Sequence, residues 1–359
     1  MTKSTERPGF RRREFLKAGA WGLGSLALTD SGATTAPAAH EPRPAKAEIK
    51  DRDKVIARLS GCFTPLPALY QGANLDVNLK AMRRHVRFLL DGGIRQGNGV
   101  LLVSGSAGDF TALSVEERLR IAEAVVDEAA GKVGVILGAQ SVNQREVIAL
   151  AQGAAKLGAT AVQVSPPFYQ TYTDDDVVEF YKAVAAAAEI PIIVYYTFWQ
   201  YKLSMNTLGR LLDLPNVVGL KWAAPSAYEY NKGLRLFAKR ACVIDNQLQF
   251  VQSHMMGARG IDTHPVNYWP EWGVQLWGLL QAGKYKEAEQ SINKVVMPFY
   301  DLLEEISLFT GSEGNIDKLC LELVGMESSP VRPPVREFRD KFRDKARKML
   351  KECGVPRVK

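Results

Sequence analysis

The sequence predicts a (β/α)8 barrel with a C-terminal helical extension, and three observations lead there. From Val55 onward, short runs rich in β-branched residues alternate with longer amphipathic stretches. The short runs are apolar throughout instead of alternating with polar residues, which is how parallel strands covered on both faces read. Eight such units in about 230 residues match the count and span of a closed barrel. A doubly wound open sheet would share the alternation and is the competing expectation.

The strand-like runs are VIARLSGCF, GVLLVSG, VGVILGA, AVQVSPP, PIIVYYT, VVGLKWAA, ACVIDNQ and RGIDTHP. Between them lie helical patterns such as NLKAMRRHVRFLLDG, SVEERLRIAEAVVDEAAG, NQREVIALAQGAAKLG and DDDVVEFYKAVAAAAE. Ser114 with Glu117 three residues later predicts a capping box at the start of the second. TLGRLLDL, AYEYNKGLRLFAKR, LQFVQSHMMGA and PEWGVQLWGLLQAG complete the alternation. Further helical patterns (YKEAEQSINKVVMPFYDLLEEISLF, NIDKLCLELVGM, VREFRDKFRDKARKMLKECG) follow without strands. The expected division is a leader at 1–39, a linker at 40–52, the barrel at 53–283 and the helical extension at 284–359.

Arg11-Arg12-Arg13-Glu14-Phe15-Leu16-Lys17 followed by AGAWGLGSLAL and an Ala-rich stretch has the make-up of a secretory signal, and RRxFLK resembles a twin-arginine export signal. The uncharged run from Ala18 to Thr29 is too short to span a bilayer of about 30 Å as a helix. An exported, periplasmic protein with no stable membrane span after cleavage is the expectation.

Residues 1–39 carry much of the formal charge of +7, and no Lys/Arg run interleaved with aromatics follows them. Nucleic acid is therefore not an expected partner. Cys62, Cys242, Cys320 and Cys353 are far apart with no CxxC, and the four histidines form no ligand pattern. A disulfide framework and a protein-held metal are both unexpected, and no cofactor is indicated. Cys62 and Cys242 read as small buried hydrophobes inside strands.

In a barrel, chemistry collects at the C-terminal ends of the strands. Several unusual residues fall there: Lys221 near the end of strand six, Tyr195 on strand five, Gly105-Ser106-Ala107-Gly108 after strand two, Tyr169 after strand four, and Asp262 and His264 at strand eight. A lysine rooted in an apolar strand stands out, because an unpaired buried charge is costly.

Across roughly residues 55–335 the chain resembles the dihydrodipicolinate synthase / N-acetylneuraminate lyase family. Phe63-Thr64-Pro65 resembles the TP at the end of its first strand, Gly105-Ser106-Ala107-Gly108-Asp109 its G(S/T)(S/T)GE loop, and Ser165-Pro166-Pro167-Phe168-Tyr169 its PPYY segment. Ile193-Val194-Tyr195, Gly219-Leu220-Lys221, Leu323-Val324-Gly325 and Pro330-Val331-Arg332-Pro333-Pro334 resemble the strand-five tyrosine, the GIK and the LxGxxxxPVRPP of the family. The resemblance implies a class I aldolase-type lyase whose lysine forms a Schiff base with pyruvate or another 2-keto acid, and a dimer or tetramer. Lys221 would be the nucleophile, Tyr195 a proton relay, and Tyr169 a relay member acting across a subunit interface. Ser106, with backbone N–H groups around Gly105 and Ala107, would bind the keto-acid carboxylate.

The chain also departs from that pattern. Ala107 stands where a second hydroxyl is usual. Tyr195-Tyr196-Thr197-Phe198-Trp199-Gln200-Tyr201 lacks the YN-x-P and the arginine that in the lysine-biosynthesis branch grips the second substrate. Ile244 replaces an expected glycine, and Asp262-Thr263-His264 replaces small polar residues. Trp199, Trp222, Tyr268 and Trp269 are read as aromatic additions to the mouth. These differences point away from dihydrodipicolinate synthesis and towards a sugar-derived 2-keto-3-deoxy acid, with Asp262 and His264 contacting substrate and His264 as an added acid/base. A keto-acid-binding barrel without turnover and a surface interaction protein are the alternatives.

Overall fold

The computed structural model describes residues 51–311 and 313–359, so the leader and all but the end of the linker lie outside the described residues. Eight parallel strands close into a barrel: β1 (Gly61–Pro65), β2 (Gly99–Val103), β3 (Gly134–Gly138), β4 (Ala161–Val164), β5 (Ile192–Thr197), β6 (Val217–Ala223), β7 (Cys242–Asp245) and β8 (Gly260–Asp262). Each pairs with its neighbour in sequence and β8 returns to β1, so the barrel itself has no open edge. Every residue of these strands is buried, which explains why they read as unbroken apolar runs.

The first helix was not foreseen. α1 (Arg52–Arg58) includes Val55–Arg58, the segment read as the start of strand one. Asp51 caps it by accepting from the Lys54 N–H. Its Val55 and Ile56 pack against the side chains that fill the barrel, among them Leu59, Phe63, Val100, Ile136, Ile193 and Val218. α1 thus stoppers the end of the barrel opposite the site. A four-residue segment with two β-branched residues fits either structure, and here packing against the barrel floor decides for helix. The chain turns from α1 into β1 at Gly61, where φ is +124° and a Cβ would lie 2.2 Å from the Asn98 carbonyl carbon. Only glycine fits there.

Seven helices then connect successive strands: α2 (Leu79–Asp91), α3 (Val115–Ala129), α4 (Gln144–Lys156), α5 (Asp174–Ala187), α6 (Met205–Leu212), α7 (Ala227–Phe237) and α8 (Phe250–Met255). α9 (Pro270–Gln281) follows β8. The Ser114–Glu117 capping box is present at the head of α3, and Thr173 with Asp176 forms a second at α5. The extension consists of α10 (Tyr285–Thr310), α11 (Asn315–Leu323) and α12 (Arg339–Cys353), and α10 packs along α8 and α9. No described helix is long and apolar enough to cross a membrane. Cys62 and Cys242 are fully buried, and burial pushes both thiols up to about 12.

Candidate active site

Strand alternation alone would turn Lys221 away from the barrel interior. Along β5 and β6 the register runs Ile192 to Val217 and then Ile193 to Gly219, which leaves Val218 as an extra residue. That bulge resets the parity of the strand. Val217, Leu220 and Trp222 pack outward among the helices, whereas Val218 faces the barrel interior and Lys221 and Ala223 line a cavity at the C-terminal end of the strands. Without the bulge, Lys221 would join the outward set. Gly219 suits the irregularity, since a Cβ there would sit 3.1 Å from both the Cys242 carbonyl oxygen and the Ile193 side chain.

The cavity holds about 360 Å³. Lys221 is 4% exposed and its Nζ lies 2.9 Å from Asp262 Oδ1, an ionic contact whose oxygen is not aligned as a hydrogen-bond acceptor. Tyr195 sits opposite Lys221 in the β5–β6 ladder, with the amine 5.1 Å from its ring centroid. Burial, then the nearby Glu313 and Asp262 carboxylates, push the Tyr195 phenol well above its ordinary range, so it holds its proton and serves as a donor.

His264 lies just beyond β8 and lines the same cavity. Its Nδ1 is 2.7 Å from Asp317 Oδ2 on α11, and Asp317 Oδ1 accepts from Asn267 Nδ2 at 3.1 Å. Burial by itself would lower the imidazole pKa, but Asp317, followed by Asp262 and Glu313, outweighs it and the net shift is upward. Burial raises the Asp317 carboxyl, with His264 and Asn267 opposing.

The loop after β2 is held under backbone strain. Ser104 and Asp109 both have positive φ, 52° and 56°. Gly108 faces the Ser104 backbone so closely that a Cβ would lie 2.8 Å from its nitrogen. Ser106 and Ala107 line the cavity, while Gly105 packs over Leu102 and does not. Gly314 rests directly on Ala107, where a Cβ would come within 1.8 Å of the Ala107 carbonyl oxygen. Asp109 anchors the loop: it accepts from Lys318 Nζ at 2.7 Å and from the Tyr70 hydroxyl at 3.1 Å. Arg332, from the PVRPP segment, stacks on the same Tyr70 ring at 4.4 Å and forms a bidentate pair with Glu117 of the capping box.

The structure thus brings Lys221, Tyr195, Ser106, Ala107, Asp262 and His264 together around one cavity. Tyr169 is not among them; it is 83% exposed in the single chain. Of the four aromatics expected at the mouth, only Trp199 lines the cavity. Trp222 faces outward, stacked between Tyr196 and Tyr230 over Gly233, because the bulge that turns Lys221 inward turns its neighbour outward. Tyr268 is fully buried beside Phe299, and Trp269 packs on Trp272. Glu313, Tyr300 and Leu303 of the extension also line the cavity and were not foreseen. No local pattern marks them, since folding alone brings them to β8.

Residues 58–353 match the Dihydrodipicolinate synthetase family. The chain belongs to that family. A 4-hydroxy-tetrahydrodipicolinate synthase from Neisseria gonorrhoeae is 30% identical over 275 residues, which cover 75% of this chain and 91% of that protein. The crystal structure of a dihydrodipicolinate synthase from Acinetobacter baumannii complexed with pyruvate superposes with a TM-score of 0.73 at 23% identity, covering 82% of this chain and 99% of that one. An N-acetylneuraminate lyase from Fusobacterium nucleatum gives 0.72 at 21% identity, with the same coverage. By this membership the protein is a lyase of the class I aldolase type, as its motifs imply.

Proposed function

We propose that the protein cleaves or forms a bond next to the imine that Lys221 makes with pyruvate or a sugar-derived 2-keto-3-deoxy acid. The observation that carries this reading is a buried lysine turned into a cavity by a strand bulge and held without an aligned hydrogen bond. Imine formation turns the keto carbon into an electron sink, which is what permits the neighbouring bond to break. The amine must be neutral to attack, and Asp262 Oδ1 at 2.9 Å is placed to take its proton. Tyr195, kept as a phenol, donates to the oxygen that leaves as water. Ser106 and the loop N–H groups receive the keto-acid carboxylate at the end of β2.

The rest of the wall favours a hydroxyl-bearing second half. Asn246, Gln247, Gln163 and Glu313 supply acceptors and donors, Trp199 offers a ring face, and no arginine lines the cavity among the described residues. That set suits a polyhydroxylated chain better than a second carboxylate. Tyr169 fits a catalytic role only if a second copy of the chain covers it, so the reading includes a homodimer or homotetramer. The twin-arginine resemblance supports export to the periplasm.

Borohydride reduction in the presence of pyruvate, followed by peptide mass spectrometry, tests the core of this reading. The expected result is a single reduced adduct on Lys221; a folded protein without it refutes the assignment. Sedimentation of the purified chain tests assembly, and the N-terminal sequence of the protein recovered from the periplasm tests export.

A further inference from the structure

The extension does more than cover the barrel. His264 is fixed on every side that matters for proton transfer. Asp317 accepts at Nδ1, which assigns the proton of the neutral ring to that nitrogen and leaves the lone pair on Nε2. Phe299 stacks on the ring at 5.2 Å between centroids, and Tyr300 meets it edge-on at 6.0 Å. Asn267 in turn pins Asp317, and its amide also reaches the Pro65 carbonyl at 2.9 Å. The only hydrogen bond that the His264 ring makes to the described residues is at Nδ1, and the ring lines the cavity that Lys221 lines. An oriented imidazole with a free nitrogen facing an electrophilic site is the geometry of a general base.

We propose that His264, oriented by Asp317, moves the proton at C3 of the keto acid bound to Lys221. The proposal rests on the Schiff-base reading above. The Lys221 amine adds to the C2 carbonyl and water leaves, giving a protonated imine. Nε2 then takes a proton from C3. The C–H electron pair becomes a C=C bond, the imine π pair moves onto the Lys221 nitrogen, and a neutral enamine faces an imidazolium. Return of a proton from Nε2 to C3 reverses the step, so it needs only solvent and the keto acid.

His264 is the cavity group whose orientation is fixed by a partner outside the cavity wall. Tyr195, a neutral phenol beside the amine, is placed to relay the proton of the departing water. Asp262 is in contact with the amine itself. Around the imidazole stand Asp317 from α11, Asp262 from β8, Glu313 from the loop before α11 and Tyr300 from α10, with Lys221 lining the same cavity from β6. The surrounding carboxylates favour the imidazolium, and so help Nε2 to accept. His264 is therefore a catalytic residue in this proposal, and Asp317 a positioning residue.

The test uses the full chain with pyruvate in D₂O, following loss of the pyruvate methyl signal by proton NMR and trapping the imine with borohydride in parallel. Wild-type protein should exchange the methyl protons for deuterium. H264N should slow exchange on the order of 100-fold, the lower end of the general-base range, while still giving the Lys221 adduct. D317N, which keeps the imidazole, should exchange more slowly and shift the acid limb of the pH–rate profile to lower pH; a purely structural pair would reduce the folded fraction and leave that midpoint where it was. Should H264N fail to fold, the D317N profile decides alone. Undiminished exchange in H264N, an unmoved midpoint in D317N, or a wild-type protein that forms the adduct without exchanging its protons would each overturn the proposal. Absence of the adduct in wild-type protein is a separate result, and removes the Schiff-base reading beneath it.

Discussion

Two lysines of this protein are buried against aspartates, and they are built for opposite ends. Lys318 is fully buried; its ammonium donates to Asp109 at 2.7 Å and lies over the Tyr70 ring at 4.4 Å, so its charge is satisfied on two sides. Lys221 is nearly as buried, but its aspartate is not aligned, its nearest ring is 5.1 Å away, and it borders empty space. Burial lowers the pKa of Lys318 while Asp109 opposes the shift, and the pair stays locked. The difference teaches that burial alone does not make a lysine reactive. What matters is whether the surroundings use up its hydrogen-bonding capacity or leave it for a ligand.

Removing Lys221 should separate the two most sharply. K221R should abolish the pyruvate adduct and lower turnover by ~10⁴-fold or more, about 5.4 kcal/mol in barrel-site barrier height. Its melting temperature should stay close to that of the wild type, because no aligned bond is lost. A drop of many degrees would show that Lys221 is as structural as Lys318. K318M is the mirror experiment. It leaves Asp109 buried without its cation, which costs about 3–5 kcal/mol. Thermal or denaturant unfolding should register that loss, whereas the fraction that folds should still be trapped at Lys221. Equal stability in K318M would mean that the Asp109 anchor is dispensable.

The smallest effect concerns pH, and sharpens the contrast because only the Lys221 site carries a histidine. The folded-state pKa of His264 is raised, so the native protein binds that proton more tightly than the unfolded chain does. Its stabilising contribution is full below the ordinary pKa of 6.5 and is lost as pH rises through the higher folded value. Melting temperature should therefore fall as pH climbs above about 6.5, and H264Q should flatten that decline. Asp245, pushed up to about 6 by burial, contributes a loss of stability as pH rises from 3.8 to about 6, and buried His85, pushed down to about 4, contributes a gain over nearly the same range; H264Q should leave both in place. A wild-type curve that is flat above 6.5 would contradict the His264–Asp317 coupling.

Much of this could be read along the chain. The eight strands were legible because each is a buried parallel strand, and its apolar run is a local record of that burial. Ser114 and Glu117 announced the head of α3 for the same reason: a cap is a contact between residues three apart. Tyr195, Lys221 and Asp262 could be placed at one rim because barrel topology puts strand ends there. The faces of β6 were harder. GLKWA names both a lysine and a tryptophan but not which one looks inward, and the aromatic mouth was misplaced by assuming that Trp222 does.

The sequence by itself determined the barrel, the family and the lysine to examine, because hydrophobic period and short motifs are properties of neighbouring residues. Only the tertiary structure decided that α1 stoppers the barrel, that an unpaired Val218 turns Lys221 inward, and that the extension supplies Glu313 and Asp317 to the site. The physical reason is one of range. His264 and Asp317 stand 53 residues apart, and no local pattern records a hydrogen bond that exists only once the extension has folded back over the barrel mouth.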